Sequence, residues 1–331
     1  MSSSATEVPS QTWPQIGIEL LEQVSSRVNP RSQTGVVRRG DTKELLHFKR
    51  FEDLDQLYCE ANALRWAREA TLGRADVTVA NVVGICPEQC LMLTEYYSQY
   101  ESLFNYLWNS TSLLAFGRRF RSLTPTEITE QLVRWLKALH GTESPANGYV
   151  PGSLPCLKMI RAKLDALETR FSGTVSSATL KRLRGFADRF ESEVALEQNV
   201  GTCRIHGDFV MSNVMIGPAG QLVVLDLADS RFGWPAEDVV QLWHQFWALG
   251  QVSRRRLREF RPCLELIEVG FGLREPGFSA KQFVLLRHLN AITSLLIFKI
   301  HANQLGWGGF VAARKQAMAS LQWLESGNWG A

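Results

Sequence analysis

The sequence predicts an α+β architecture of two lobes, a small antiparallel-sheet lobe followed by a larger, mainly helical one. Three observations lead there. Up to about residue 97, extended runs alternate with polar turns around one helical stretch. Beyond residue 98, apolar residues recur mostly at helical spacing, before and after a compact polar segment near residues 204–229. The chain has 331 residues with 45% apolar content, enough to bury a large core as one bilobed unit or two domains.

Taken in order, residues 1–15 are rich in Ser, Thr and Pro and are expected to form a flexible N-terminus. The small lobe is assigned to 16–97 and the helical lobe to 98–331. Val36 to Phe51 reads as a hairpin about a Gly40-Asp41 turn. A helix follows from Leu54 to Ala70, with Leu57, Ala61, Leu64 and Trp66 near helical spacing. Val77 to Ile85 and Leu91 to Tyr96 read as two strands parted by Cys86-Pro87-Glu88-Gln89, and Tyr96 to Gln99 as the hinge between lobes. Ser122 to Glu127 carries cap and early-proline signals for a helix over Ile128 to His140, whose Leu132, Trp135, Leu136 and Leu139 share a face. Leu157 to Phe171 and Ser177 to Leu196 are charged helices expected to pack outside it.

Composition excludes several classes. The net charge of +3 does not by itself argue for an anionic partner. Six cysteines are scattered without a CxxC pair, and Cys86 and Cys90 lack the companions zinc requires, so reduced thiols are expected. The N-terminus has no apolar core of signal-peptide length, and Lys299 interrupts the Leu295–Phe298 run. A soluble cytoplasmic protein without a membrane span is the expectation. Arg254, Arg255, Arg256, Arg258 and Arg261 read as a solvated helix face rather than a nucleic-acid patch. Trp243, Trp247 and Trp323 read as core packing, and His244, His288 and His301 as packing or surface residues.

The polar segment carries the chemistry. Its first part runs Arg204-Ile205-His206-Gly207-Asp208-Phe209-Val210-Met211-Ser212-Asn213, and a short apolar stretch, Gln221 to Leu225, then delivers Asp226. An Asp base and a metal-binding Asn five positions apart, followed by a strand ending in a second acid, is the arrangement phosphoryl transfer uses. Asp208 can accept a hydrogen bond from an attacking hydroxyl. Asn213 and Asp226 can share magnesium, which takes one or two protein oxygens and completes its shell with substrate phosphates.

From about Thr202 to Val240 the chain resembles the aminoglycoside phosphotransferase and choline kinase-like family, a branch of the protein-kinase-like fold. The resemblance rests on His206-Gly207-Asp208, Asn213, Asp226 and the later Gly233-Trp234-Pro235-Ala236-Glu237-Asp238, and is looser elsewhere. It implies an ATP-dependent small-molecule kinase. In such a fold Lys49 on a strand would hold the nucleotide phosphates and Glu60 on the next helix would orient it, with Arg50 as the fallback should the register slip by one. Glu95 and Tyr97 are the hinge candidates at the adenine. Asn29 to Gly35 stands where protein kinases have a glycine-rich loop and lacks that pattern, leaving ATP against GTP open. His206 is expected to brace the loop. Asp229 is equally a third acid of the site or a solvated turn residue, and Asp238 is expected to cap the next helix and tether the loop.

Only eleven residues separate Asp226 from Asp238, too few for a long activation segment, so a small acceptor is favoured over a protein. From Val239 to Ala331 there are eleven Lys or Arg and five Glu, with no Asp. A pocket for a polyamine needs several carboxylates. The expected acceptor is therefore a neutral or anionic hydroxyl compound, such as a sugar, polyol or glycolipid. A nucleotide-binding pseudokinase and a kinase acting on an aminoglycoside-like antibiotic are the competing readings.

Overall fold

The structure is a computed structural model and describes residues 21–29, 32–39, 44–73, 76–109, 122–141, 153–196, 203–274, 278–301 and 307–326. The expected flexible N-terminus and the Gly40-Asp41 turn lie outside these residues.

The first sheet has five antiparallel strands in the order β1-β2-β3-β6-β5, formed by β1 (Leu21–Asn29), β2 (Ser32–Arg39), β3 (Glu44–Phe51), β5 (Val82–Cys86) and β6 (Leu91–Glu95). β1 was not foreseen, because Leu21 to Asn29 has no clean apolar alternation. In β3 the two-residue period decides function. Leu46 and Phe48 point to a small core with Val37, Leu91 and Leu93, while His47 and Lys49 take the opposite face. The helix α1 (Leu54–Thr71), capped by Asp53 accepting from the Gln56 amide, buries Leu57, Ala61 and Leu64 beneath this sheet.

Val77 to Ile85 is not one strand. The chain changes sheets at Ala80-Asn81: β4 (Val77–Val79) runs parallel to β10 (Leu222–Val224), while β5 pairs with β6. Ala80 N–H donates to the Val224 carbonyl at 3.0 Å and Glu95 N–H to the Asn81 carbonyl at 3.2 Å, so each side of the break is held by a different sheet. A second sheet, β4-β10-β9-β7, thus combines both halves of the sequence, with β7 (Glu101–Ser102) and β9 (Val214–Ile216) completing it. This crossover sets the end of β10, and with it Asp226, beneath the first sheet.

The rest is helical apart from a two-stranded ribbon of β8 (Cys203–Ile205) and β11 (Arg231–Gly233). α2 (Leu103–Asn109) leads to α3 (Pro125–His140), which starts with the expected cap: Thr124 and Glu127 exchange side chain to backbone hydrogen bonds. Its Leu132, Trp135, Leu136 and Leu139 are fully buried, each apolar side chain contributing ~2 kcal/mol. α4 (Ser153–Thr169) and α5 (Ser177–Leu196) pair on the outside, followed by α6 (Pro235–Gly250), α7 (Arg254–Gly270), α8 (Phe278–His301) and α9 (Trp307–Ser326). Trp243 and Trp247 stack with centroids 6.3 Å apart, and the guanidinium of Arg287 lies 4.2 Å from Trp243 and 4.3 Å from Trp323, so these aromatics are packing. One helical span, Ala280–Ile300, is long and apolar enough to cross a membrane by length and composition, contrary to the expectation, yet half of its most apolar window is buried against the rest of the fold. The described cysteines, Cys59, Cys86, Cys90, Cys203 and Cys263, are free thiols.

Candidate active site

Between β8 and β9 the chain forms a loop that backbone hydrogen bonds alone do not hold. Asp238, fully buried on α6, accepts from the amides of His206 at 2.8 Å and Gly207 at 2.9 Å, and pairs with His140 of α3 at 2.9 Å. Burial pushes its pKa up, but His140, His206 and these amides outweigh that and hold it below the ordinary value. One turn on, Gln241 accepts from Phe209 N–H at 2.5 Å, and Gln245 from Met211 N–H at 2.6 Å. Asp238, Gln241 and Gln245 thus form one face of α6 that reads the loop backbone. Sequence reasoning expected the Asp238 tether but missed the two glutamines, whose spacing with Asp238 was the available signal. It also expected Asp238 to cap α6, whereas Glu237 makes that bond, accepting from Trp234 N–H at 3.1 Å.

Gly207 must be glycine. Its φ is +86°, and a Cβ there would collide with the Asp229 carbonyl and the Arg231 guanidinium. His206 is fully buried, and both ring nitrogens are engaged by backbone. Nε2 lies 3.1 Å from the Leu225 carbonyl, which only accepts, so Nε2 carries the proton. Nδ1 then accepts from Asp208 N–H at 3.3 Å. The ring thus braces the loop against the residue preceding Asp226.

Asp208 is half-buried and desolvation raises its pKa. Asn213 donates from Nδ2 to the Asp208 carbonyl at 3.0 Å and to its carboxylate Oδ2 at 3.1 Å, which leaves the Asn213 amide oxygen as a donor for a cation. Leu225 N–H donates to the Asn213 carbonyl at 2.8 Å, fastening Asp226 to the same loop. Asp226 has φ +56°, a region an aspartate tolerates at some cost.

Lys49 reaches into the site from the opposite wall. Its ammonium donates to Glu60 Oε2 at 2.7 Å and to Asp226 Oδ1 at 2.8 Å. Burial works against its charge, yet the two carboxylates raise its pKa overall. Glu60 is 2% exposed, and that burial, exceeding what Lys49 recovers, pushes it to about 7. Arg50 takes the other face of β3, with Nη1 3.5 Å from Gln33 Oε1. Lys49, Glu60, Asn213 and Asp226 line one cavity of about 300 Å³ with Thr34, Glu95 and Tyr97. Glu95 and Tyr97 brace one another there: the Tyr97 hydroxyl donates to Glu95 Oε2 at 2.8 Å, and Glu95 Oε1 accepts from Asn81 at 3.1 Å. Asp229 is exposed beside Asp226, bordering the cleft with Glu52 and Asp55.

A second cavity, of about 370 Å³, opens on the other side of Asp208 between the loop and α4, α6, α8 and α9. Its carboxylates are Asp208 and Glu237, and Glu237 is paired with Arg231 at 2.5 Å. Lys163 of α4 also faces it.

The first cavity bears a lysine–glutamate pair and two further oxygen donors, and one of these, Asn213, donates to the carboxylate of Asp208, which lines the second. The sequence profile of the phosphotransferase enzyme family matches residues 27–262 of this chain, from β1 into α7. The chain belongs to the phosphotransferase enzyme family. Solved structures agree on a kinase-like fold. The GDP and kanamycin complex of APH(2")-IIia matches with a TM-score of 0.55 at 14% identity, covering 95% of each chain. A choline/ethanolamine kinase family protein from Mesorhizobium loti matches at 0.52 and 16% identity, covering 92% of this chain and 87% of its own. The choline kinase LicA from Streptococcus pneumoniae matches at 0.51 and 14%, covering 93% and 94%. At such identities the likeness speaks for the fold, and no curated protein matches in sequence. The bilobed α+β reading and the family resemblance of the sequence both hold for this phosphotransferase.

Proposed function

We propose that this phosphotransferase is an ATP- and magnesium-dependent kinase acting on a hydroxyl of a small, neutral or anionic molecule such as a sugar, polyol or glycolipid. The observation that carries the reading is that Asp208 lines a carboxylate-poor cavity while Asn213, which donates to its carboxylate, lines the separate cavity bearing the Lys49–Glu60 pair. The kinase-like neighbours include complexes with GDP and ADP and proteins described as aminoglycoside and choline kinases, which supports a nucleotide and a small acceptor.

In this mechanism Lys49 holds the nucleotide phosphates and Glu60 keeps the ammonium in place. Asn213 and Asp226 would hold magnesium through Asn213 Oδ1 and the Asp226 carboxylate, an oxygen pair of the size this ion takes from a protein. Magnesium, when bound, neutralises charge on the phosphate oxygens. Asp208 accepts a hydrogen bond from the acceptor hydroxyl and takes its proton as the new O–P bond forms and the bond to the departing nucleoside diphosphate breaks. Asn213 fixes the Asp208 carboxylate through Oδ2, leaving Oδ1 for the acceptor. Backbone groups near Glu95 and Tyr97 meet the base.

An acceptor with several ammonium groups would need matching carboxylates, and among the described residues the second cavity offers Asp208 and a Glu237 already tied to Arg231. The test is phosphoryl transfer from labelled ATP to a panel of sugars, polyols, sugar phosphates and aminoglycosides. Transfer to hydroxyl compounds without amines is expected. Efficient transfer to aminoglycosides alone overturns the acceptor class and leaves the kinase reading standing.

A further inference from the structure

We infer that the acceptor carries an anionic group, a phosphate or carboxylate on a hydroxylated body, and that Lys163 is the residue that selects it. This rests on reading the second cavity as the acceptor site.

On the surface of the same pair of helices, α4 and α5, Arg161 pairs with Asp188 and Glu191, and Arg184 with Asp165 and Glu168. Lys163 differs. It turns toward the cavity that contains Asp208, and among the described residues no carboxylate lies within salt-bridge distance of it. Its ammonium makes one hydrogen bond, to Thr293 Oγ1 of α8 at 2.5 Å. The Thr293 hydroxyl gives its own proton to the Leu289 carbonyl at 2.7 Å, so it is committed as an acceptor toward Lys163. Two of the three ammonium N–H groups therefore have no partner among the described residues.

A half-buried ammonium with one neutral partner is unfavourable by itself, and desolvation pulls its pKa down accordingly. An anion in the cavity removes that penalty. The cavity's other cation, Arg231, is already neutralised by Glu237, so Lys163 supplies the uncompensated positive charge. Next to Thr293 on the same wall, Asn290 offers an amide that makes no hydrogen bond among the described residues, a second donor for oxygen atoms. Asp208 repels an anion at its own end, which orients the ligand with its hydroxyl toward Asp208 and its charged group toward Lys163. The cavity, about 370 Å³, is within the range of small-ligand sites.

The experiment uses the full-length protein with MgADP present to fill the nucleotide cavity. Amine-selective labelling of Lys163, followed by mass spectrometry, is compared with no addition, with inorganic phosphate, with gluconate and with neutral glucose. Phosphate or gluconate is expected to slow labelling of Lys163 about tenfold while glucose does not, and their relative effect distinguishes phosphate from carboxylate as the recognised group. Calorimetry of glucose 6-phosphate and gluconate is then run on Lys163→Met and Lys163→Arg. Lys163→Met is expected to weaken the preferred anion about ten- to a hundredfold, and Lys163→Arg to recover most of it. Labelling unaffected by either anion, or Lys163→Met binding anions as the wild type does, overturns the inference. Separate titration of MgATP tests the kinase reading: absence of nucleotide binding sinks that reading, while the labelling arm still judges Lys163.

Discussion

Asp226 occupies a left-handed backbone conformation, and its neighbour shows why the strain persists. Leu225 is pinned at both ends, its N–H to the Asn213 carbonyl and its carbonyl by the His206 ring. The residue that follows is therefore delivered to one place whatever its own preference, ~1 kcal/mol being absorbed locally. With Asp226 so fixed and Asn213 bonded to Asp208, Asp208→Asn should lower turnover by at least about a hundredfold while nucleotide affinity measured by calorimetry stays near wild type. A variant retaining more than about a tenth of wild-type turnover would remove Asp208 from the role of essential base. Glu60 gives a pH signature. Its carboxyl, raised to about 7 by burial, is ionised and able to anchor Lys49 only above that pH. Nucleotide affinity should therefore fall as the pH is lowered from about 8 to about 6, and Glu60→Gln should flatten that dependence. If the acid limb is unchanged in Glu60→Gln, another group titrates. The Lys49–Arg50 ambiguity shows how much of the site could be read from sequence. Two adjacent cations on a strand differ by which face they take, and only the pairing of Leu46 and Phe48 with Val37, Leu91 and Leu93 shows that face.

Among elements, α6 has the decisive position because it carries the residues that hold the loop from outside it. Asp238 accepts two loop amides and one histidine in a site without solvent, so Asp238→Ala leaves those donors buried and unpaired. A loss of ~3 kcal/mol in unfolding free energy is expected, read by denaturant titration. Gln241→Ala should be milder and show itself in turnover more than in stability, since it frees Phe209 N–H beside Asp208. A Gln241→Ala enzyme with unaltered turnover would show that the loop keeps its shape without this contact. The lowered pKa of Asp238 adds a sign: its contribution is present above its ordinary value of 3.8 and is lost only as the pH falls below it. Elements announced by local chemistry were legible in the sequence: α3 by its Thr124–Glu127 box, α1 by its apolar spacing, β10 by its apolar run. β4 was not separable from β5, because its partner, β10, lies far along the chain and only tertiary structure supplies the break at Ala80-Asn81. Lys163 was illegible for the same reason. Nothing in the sequence of α4 distinguishes it from the paired arginines on the same pair of helices.

At the scale of the molecule, one ion pair among the described residues, Lys49 with Asp226, joins the five-stranded sheet to the catalytic segment, and the crossover at Ala80-Asn81 links that sheet to the one holding β4 and β10. The Asp226 side chain is 47% exposed, so this pair alone should stabilise the empty protein by no more than ~1 kcal/mol. The larger coupling has to come from what fills the cavity between them. A ligand that binds only the folded state adds stability in proportion to the logarithm of its concentration over its dissociation constant, about 2.7 kcal/mol at a hundredfold excess. With Asn213 and Asp226 as the cation donors, that gain should contain a magnesium-dependent part. Asn213→Ala and Asp226→Ala should therefore melt within a few degrees of wild type when empty, yet lose the extra thermal shift that magnesium adds to ATP. Lys49→Ala, by contrast, should weaken ATP with and without magnesium, because its ammonium is assigned to the phosphates themselves. Calorimetric titration of ATP in both conditions, paired with thermal melts, separates the two behaviours. If the Asn213 and Asp226 variants gain as much from magnesium as wild type does, the metal is held by other oxygens, with Asp229 beside Asp226 the first to examine.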